Sequence, residues 1–216
     1  MDLFLQILDI SGTLAFAVAG AVRGVRRNLD ILGVTILAIV TGTAGGIVRD
    51  VIIGRGLPAS FQNEMYLIIC IAAAIVVLTK AETIAARSEK QWSIVAIFDA
   101  IGLGIFSAVG AAKAMSAEFG AVGIIMMGML SSCGGGVIRD ILVCEIPAIL
   151  KRDFYATASM IGVIFMLIAN WLGFNEYGQI LVATGIASGL RFWAMATRLQ
   201  LPREIKPVRS RKRKPK

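Results

Sequence analysis

The stretch TGTAGGIVRD at residues 41–50 recurs ninety residues later as SSCGGGVIRD at residues 131–140. Each copy lies in a long apolar run and joins paired glycines to an Arg-Asp dipeptide. A glycine weakens a helix by about 1 kcal/mol relative to alanine, and charged side chains are rare at membrane depth. Paired glycines followed by Arg-Asp occur here at equivalent positions of two apolar runs. This repetition predicts that the motif has a specific role.

The similarity extends well beyond these two stretches. Matching Ala and Gly could arise from composition alone, but matching Asp, Arg, Pro and Tyr in one register could not. We therefore predict an internal duplication, with one repeat at residues 3–82 and the other at residues 92–173. The aligned pairs are Asp9 with Asp99, Arg49-Asp50 with Arg139-Asp140, Pro58-Ala59 with Pro147-Ala148, and Tyr66 with Tyr155.

The composition excludes a soluble domain. Hydrophobic residues make up 57% of the 216 residues, charged residues 17%, and the mean hydropathy is +0.78. A soluble protein of this size could not hide so much apolar surface. We predict an all-α integral membrane protein with seven transmembrane helices, since a span needs roughly 20 apolar residues. The candidate spans are residues 3–22, 30–53, 65–82, 93–113, 119–143, 154–173 and 177–198.

The number of spans predicts the topology. Three spans per repeat is an odd number, so the second repeat should enter the membrane from the opposite side and form an inverted pair with the first. The helix at residues 177–198 lies outside both repeats. The alternating Lys/Arg content of the loops predicts an N-terminus outside and a cytoplasmic C-terminus in a multi-pass cell (inner) membrane protein. Residues 200–216 read as a basic cytoplasmic tail next to anionic lipid, rather than as a nucleic-acid-binding segment.

The sequence gives little support for an enzyme. It has no histidine, and its three cysteines fit no zinc spacing. It also shows no pair of nucleophile and base. We therefore expect no catalytic residues, no cofactor, and no bound metal beyond transient Na⁺ or K⁺.

The glycine pairs and the hydroxyls beside them are the first candidate site. Gly45-Gly46 and Gly135-Gly136 could kink or locally unwind their helices and present backbone carbonyls to a substrate or ion. The alternative is close helix packing through small residues. Four hydroxyls near these glycines could act as further ion ligands: Thr41, Thr43, Ser131 and Ser132.

The Arg-Asp dipeptides are the second candidate site. Side chains of adjacent residues diverge on a helix, so we expect Arg49 not to pair simply with Asp50, nor Arg139 with Asp140. Pairing across the two repeats, or with the carboxylates of the first span in each repeat, is the expected alternative. Snorkelling of the arginines to the membrane surface is another interpretation. In a cation pathway, Arg49 and Arg139 would have to be neutralised by Asp50 and Asp140, or else act as gates.

Three further charged residues complete the set of candidates. Asp9 and Asp99 lie in the first third of their spans and could line a polar cavity, or could simply be carboxylates near a helix start. Lys113 closes its span and could be an end anchor. It falls on the side that should be poor in positive charge, which favours a role as a gate or as an ion-pair partner.

The duplicated Gly-Gly-x-x-Arg-Asp, the seven spans and the Pro-Ala that follows each motif resemble prokaryotic homologues of the trimeric intracellular cation (TRIC) channels. This family also carries an older glycine-transporter label. The resemblance covers residues 3–198. It implies a homotrimer with one K⁺ and Na⁺ pathway in each protomer, surrounded by spans 1, 2, 4 and 5 and kinked at the glycine pairs. Of the Lys-Glu-Val motif of animal members, only the lysine is present, in Lys113-Ala114-Met115.

These observations favour a monovalent-cation channel in contact with membrane lipid. The alternative is a secondary transporter of a small zwitterion such as glycine, in which half-helix N-termini and an arginine would bind the carboxylate and an aspartate the amine. A membrane protein with a purely structural role is a third interpretation.

Overall fold

The computed structural model describes residues 3–86, 94–151 and 154–197, so the basic tail at residues 200–216 lies outside the described residues. Within these ranges the chain forms helices and no strand. The helices are α1 (Leu3–Arg26), α2 (Ile31–Ile53), α3 (Ala59–Gln62), α4 (Met65–Leu78), α5 (Ala81–Ala86), α6 (Ile94–Ser116), α7 (Ala121–Leu142), α8 (Ala148–Lys151), α9 (Ala156–Trp171) and α10 (Glu176–Thr197).

The long helices confirm an all-helical membrane protein. Among the described residues, α1, α2, α6, α7 and α10 are long and apolar enough to cross a bilayer. At 1.5 Å per residue, the 22 residues of α7 measure about 33 Å. The two remaining predicted spans correspond to α4 and α9, which are apolar but have 14 and 16 residues. The count of seven spans therefore stays a prediction.

Local signals set the ends of α2. The Asp30 side chain accepts a hydrogen bond of 2.6 Å from the Gly33 amide and so caps the helix start. Gly54, with a φ of 70°, ends the helix in the left-handed conformation that glycine adopts without strain. These ends leave Arg49 and Asp50 in the last turns of α2, directly before the loop that leads to α3.

The centre of the molecule is the contact between α1 and α6. The rings of Phe16 and Phe106 are 5.3 Å apart and almost fully buried. Each ring lies against a glycine of the other helix: a Cβ on Gly12 would be 3.1 Å from the Phe106 ring, and one on Gly102 would be 3.0 Å from the Phe16 ring. This reciprocal contact joins the two repeats at equivalent positions.

The glycine pairs lie where α2 crosses α7. A Cβ on Gly45 would overlap the carbonyl oxygen of Ser131, and one on Gly135 would overlap that of Thr41. Both helices continue without interruption through these glycines. Neither helix is unwound at these glycines in this structure, and close packing through small residues, one of the two predicted alternatives, describes this crossing. The reason is that glycine has no side chain, so the backbone carbonyl of the opposing helix can lie directly against its Cα.

Candidate functional site

A buried group of charges closes one end of the bundle. We call Asp9, Arg49, Asp50, Tyr66 and Lys113 the Asp9 cluster. Arg49 donates to both carboxylate oxygens of Asp9, from Nη1 to Oδ1 and from Nη2 to Oδ2, each at 3.0 Å. Arg49 is only 1% exposed, so it does not snorkel to the surface. A two-pronged pair of this kind fixes both groups in one geometry.

Asp50 also contacts Arg49, contrary to expectation. The Arg49 Nε donates to Asp50 Oδ1 at 2.7 Å, while the other oxygen of Asp50 accepts the Ala59 amide at 3.0 Å. The prediction that neighbouring Arg and Asp do not pair is wrong, because the long arginine side chain presents Nε to its neighbour and both Nη atoms to Asp9. The same contacts tie α3 to the end of α2.

Lys113 completes the cluster from the other repeat. Its Nζ lies 3.2 Å from Asp9 Oδ2 and 3.2 Å from Asp50 Oδ1. The Tyr66 hydroxyl donates to the same oxygen of Asp9 at 3.2 Å. The cluster therefore balances two carboxylates with two cations, and its pairing across the repeats occurs through Lys113 rather than through Arg49.

The second repeat builds the same arrangement, which we call the Asp99 cluster: Asp99, Arg139, Asp140 and Tyr155. Arg139 Nη1 donates to Asp99 Oδ1 at 2.8 Å, and its Nε donates to Asp140 Oδ1 at 2.9 Å. Asp140 Oδ2 accepts the Ala148 amide at 2.9 Å. Arg139 is only 2% exposed. The alternative pairing with Asp9 and Asp99 is thus the one found, within each repeat.

The two clusters lie at opposite ends of α6. Asp99 and Lys113 are 14 positions apart on this helix, which corresponds to about 21 Å along its axis. Near the Asp99 end, Arg23 and Arg27 of the first repeat contact Glu145, with 3.4 Å between Arg23 Nη1 and Glu145 Oε1. Arg23 is the register partner of Lys113. Each end is therefore bridged by a cation from the opposite repeat, but with different acceptors.

A water-accessible vestibule reaches the Asp9 cluster. Its volume is about 770 Å³, and Asp50, Tyr66 and Lys113 form part of its wall. Beyond it, a small cavity of about 10 Å³ shares Asp50 and Tyr66 with the vestibule, and its volume is close to the least that one water needs. The other polar residues around the vestibule are Gln6, Arg55, Gln62, Asn63, Ser116 and Glu176, and those around the cavity are Asp9, Thr13, Thr43, Arg49 and Ser60.

The four predicted hydroxyl ligands separate into two groups. Thr43 lines the small cavity. Thr41 is buried at the crossing of α2 and α7 and donates to the carbonyl of Leu37, one turn earlier. Ser131 and Ser132 are also fully buried, and Ser132 Oγ lies 2.8 Å from Ser159 Oγ of α9. Thr43 is therefore placed beside a polar space, whereas Thr41, Ser131 and Ser132 are fully buried.

Comparison with known proteins identifies the family. A family model described as "Glycine transporter" matches twice, over residues 6–81 and 96–171. A solved structure of a TRIC cation channel is 33% identical, covers 94% of this chain and 98% of its own, and superposes with a TM-score of 0.83. The chain belongs to the prokaryotic TRIC channel family. The TRIC trimeric intracellular cation channel orthologue from Rhodobacter sphaeroides is 28% identical over 92% of this chain and 100% of its own, with a TM-score of 0.84.

Relatives found by sequence comparison are also membrane proteins, in agreement with the assignment to the TRIC family. A UPF0126 membrane protein of Vibrio cholerae is 36% identical over 201 residues, which cover 92% of this chain and 82% of the relative. The inner membrane protein YadS of Escherichia coli is 34% identical over 155 residues, 72% of this chain and 73% of its own. The solved TRIC relatives are ion channels rather than enzymes. In the part of the chain that the structure describes, no group of three or more His, Cys, Asp or Glu is placed to hold a metal.

Four residues of this TRIC-family site were not predicted from the sequence to be site residues. Tyr66 and Tyr155 served only to establish the register of the repeat, and Glu145 and Arg191 were not among the candidates. Arg191 carried a signal, since it is a lone arginine inside an apolar span, where a charge is functional by default. Glu145 carried none, because a glutamate in a loop is ordinarily solvated.

Proposed function

We propose that the chain is a monovalent-cation channel, permeable to K⁺ and Na⁺, with one pathway in each protomer between α1, α2, α6 and α7. The observation that carries this proposal is the pair of buried clusters of charged residues about 21 Å apart on α6. Carboxylates buried at membrane depth mark ion paths. The vestibule and the small cavity beside Asp50 and Tyr66 supply a polar approach to one of the two clusters.

Lys113 is the proposed gate of this pathway. Its ammonium group occupies the position between Asp9 and Asp50 that a permeating cation would take. Arg49 is held by three hydrogen bonds and has little freedom, whereas the side chain of Lys113 is 15% exposed and lies on the vestibule. When Lys113 swings into the vestibule, the cluster keeps a net charge of −1 and attracts a monovalent cation. Arg49 does not repel that cation, because Asp9 and Asp50 together neutralise the charge of the Arg49 guanidinium.

The glycine crossing is proposed to let the pathway change its width. Glycine at positions 45 and 135 allows the backbones of α2 and α7 to touch, so a small rotation there moves Arg49 and Arg139 at once. Kinks at Gly45-Gly46 and Gly135-Gly136 are part of the conducting conformation in this proposal, with Thr43 and backbone carbonyls as passing ligands.

The assembly and topology belong to the same proposal. We infer a homotrimer in contact with membrane lipid, with two inverted repeats at residues 3–82 and 92–173, in the inner membrane. The N-terminus lies outside, and the tail at residues 200–216 lies in the cytoplasm. Exposed apolar side chains on α2, α4 and α10, such as Ile36, Ile68 and Leu181, suit contact with lipid or with a second copy. Chemical cross-linking in native membranes, read as the number of linked copies, tests the trimer.

Planar-bilayer recording of the purified protein tests the channel. We expect unitary currents in symmetrical KCl and in symmetrical NaCl, and no dependence on glycine. A well-folded, reconstituted protein that carries no K⁺ or Na⁺ current at any voltage would overturn the proposal.

A transporter of a small zwitterion such as glycine is the second candidate. The description of the matching family model favours it, and so does the vestibule, where Arg55 and Lys113 could hold a carboxylate and Asp50 or Glu176 an amine. Saturable uptake of labelled glycine into proteoliposomes, competed by unlabelled glycine and without unitary currents, would establish the transporter instead of the channel.

A further inference from the structure

Each repeat places a short helix directly after its Gly-Gly-x-x-Arg-Asp span, and each short helix exposes one large apolar side chain. Phe61 of α3 is 71% exposed, and Leu150 of α8, its register partner, is 76% exposed. Exposed apolar side chains that occur singly need no explanation, but a pair at equivalent positions of two repeats indicates a shared role.

The exposed apolar surface continues onto the ends of the long helices. Ile52 in the last turn of α2 and Leu142 in the last turn of α7 are also register partners and are also exposed. Both helices are long and apolar enough to cross a bilayer, so their last turns lie near its boundary. An apolar side chain just beyond such an end can insert between the hydrocarbon and the headgroups. Lipid at the bilayer boundary is therefore the partner that fits Phe61 and Leu150.

A single carboxylate joins α3 to the proposed gate. Asp50 Oδ2 accepts a hydrogen bond of 3.0 Å from the amide of Ala59, the first residue of α3. The other oxygen, Asp50 Oδ1, lies 3.2 Å from Lys113 Nζ. Phe61 belongs to the same single turn of helix as Ala59. A displacement of the Phe61 side chain therefore acts on the bond between Ala59 and Asp50, and through Asp50 on Lys113.

The loops that precede the two short helices differ in their freedom to move. The loop before α3 contains Gly54 and Gly56, with φ of 70° and 114°, and a Cβ on either glycine would face open space. Such glycines allow α3 to shift relative to α2. In the loop before α8, Cys144 takes the place of Gly54, and the next residue, Glu145, forms an ion pair with Arg23 of the first repeat. The α8 helix is therefore held, whereas α3 can move.

We propose that lipid at the bilayer boundary binds the side chains of Phe61 and Leu150, and that Phe61 transmits the position of this boundary to the gate. This role rests on the channel function proposed above. Because α3 follows the end of α2, a thicker bilayer draws Phe61 outward and away from Asp50. The bond between Ala59 and Asp50 then breaks, Asp50 loses its fixed orientation towards Lys113, and the gate opens more often.

Spin labels test the lipid contact without any channel activity. Phe61→Cys and Leu150→Cys are labelled in a Cys144→Ser background, in which the other two cysteines are buried. In a reconstituted bilayer, oxygen, which dissolves in lipid, should relax both labels more strongly than a water-soluble nickel chelate. Gln62→Cys is the matched control, because Gln62 lines the vestibule and its label should favour the chelate. Preference for the chelate at position 61 overturns the proposal, and so does exclusion of both probes, the result expected where a second copy covers Phe61.

The current in two bilayers of different thickness tests the coupling. The time-averaged K⁺ current per reconstituted wild-type protein should be about two- to fivefold larger in dierucoyl than in the thinner dioleoyl phosphatidylcholine, the response to a mismatch of a few ångströms. Phe61→Ser should lose this dependence. Phe61→Trp, which keeps an apolar ring at the boundary, and Leu150→Ser, in the helix that is held, should keep it. Equal wild-type currents in the two bilayers, or loss of the dependence in Leu150→Ser as well, overturns the proposal.

Hydrogen exchange separates this inference from the proposed channel. A wild-type protein that carries no current in either bilayer defeats the channel. The contact with lipid and the release of Asp50 are then decided by exchange of the wild-type amides at residues 55–62, and the same measurement applies if Phe61→Ser does not fold. Exchange there should be faster in the thicker bilayer, because the Ala59 amide is released from Asp50. Equal exchange in the two bilayers overturns the inference, whether or not the protein conducts.

Discussion

Lys113 Nζ lies 3.2 Å from Asp9 Oδ2, so a lysine of the second repeat pairs with a buried carboxylate of the first. The same ammonium lies 3.2 Å from Asp50 Oδ1. The contact joins the end of α6 to α1 and α2 at the point where the vestibule meets the protein interior. A lysine held between two carboxylates is a tethered cation, and its release would leave a site for a free one.

Removal of this tethered charge should favour conduction. Lys113→Gln leaves the Asp9 cluster with a net charge of −1 and with no ammonium across the path. We expect the time-averaged K⁺ current per reconstituted protein to rise about three- to tenfold, as the loss of roughly 1 kcal/mol of closed-state ion pairing would give. Lys113→Arg keeps the charge and should stay close to the wild type. A current lower than wild type in Lys113→Gln, with equal amounts of reconstituted protein, contradicts the gate.

Breaking the buried pair of Asp9 and Arg49 should destabilise the protein strongly. Asp9→Asn leaves Arg49 buried with only Asp50 as a carboxylate partner, and such a change typically costs about 3–5 kcal/mol. The measurement is chemical unfolding in detergent micelles, and Glu176→Gln, on an exposed vestibule residue, should change the free energy of unfolding by less than about 0.5 kcal/mol. In the double variant Asp9→Leu with Arg49→Met, the destabilisation should be smaller than the sum of the two single effects. Simple additivity would mean that the two residues are not coupled.

Adjacent glycines should differ sharply in their tolerance of alanine. Gly45→Ala and Gly135→Ala each drive a methyl group into a carbonyl oxygen of the opposing helix and should cost about 1–3 kcal/mol or more. Gly46→Ala meets its nearest neighbour, Arg49 Nη2, at an ordinary 3.5 Å and should cost little. Gly185→Ala and Gly189→Ala face open space within α10 and should stabilise the protein by up to about 1 kcal/mol. Thermal unfolding in detergent ranks these five variants, and equal melting shifts at positions 45 and 46 would refute the close crossing.

Asp50 and Asp140 each accept a hydrogen bond from a backbone amide, and hydrogen exchange should distinguish the effects of these two contacts. Asp50→Asn weakens the hold on the Ala59 amide and should speed exchange across residues 55–62 by about tenfold, the equivalent of roughly 1.4 kcal/mol. Asp140→Asn should act in the same way on residues 144–151 through Ala148. Each variant serves as the control for the other. Faster exchange in both segments from either single change would show that the two clusters are not independent caps.

The duplication made much of this architecture predictable from the sequence. A charge or a glycine that occurs at equivalent positions of both repeats is predicted to have the same role in each. Asp9, Arg49 and their counterparts do form equivalent networks. The pairing within each dipeptide was not predictable, because helical direction alone ignores the reach of the arginine side chain from Nε to Nη. The sequence left open whether the glycine pairs at Gly45 and Gly135 unwind their helices or pack closely, since a glycine pair permits both.

Contacts that depend on how the helices dock could not be predicted from the sequence. Arg191 belongs to α10, so no register aligned it with the Asp99 cluster, and its contact with Tyr155 depends on the docking of α10 at Gly104. The difference between Thr43, beside the cavity, and Thr41, between helices, depends on the rotation of α2. A sequence predicts the faces of a helix but not which neighbour each face will meet.

The reversal potential of the reconstituted protein under a tenfold KCl gradient tests the central claim most directly. A pathway lined by Asp9 and Asp99 and cleared by the movement of Lys113 should pass K⁺ far more readily than Cl⁻. The wild type should then show unitary currents that reverse within a few millivolts of the K⁺ equilibrium potential, about 59 mV from zero for a tenfold gradient. Reversal near zero, reversal towards the Cl⁻ potential, or glycine uptake without unitary current would contradict the account.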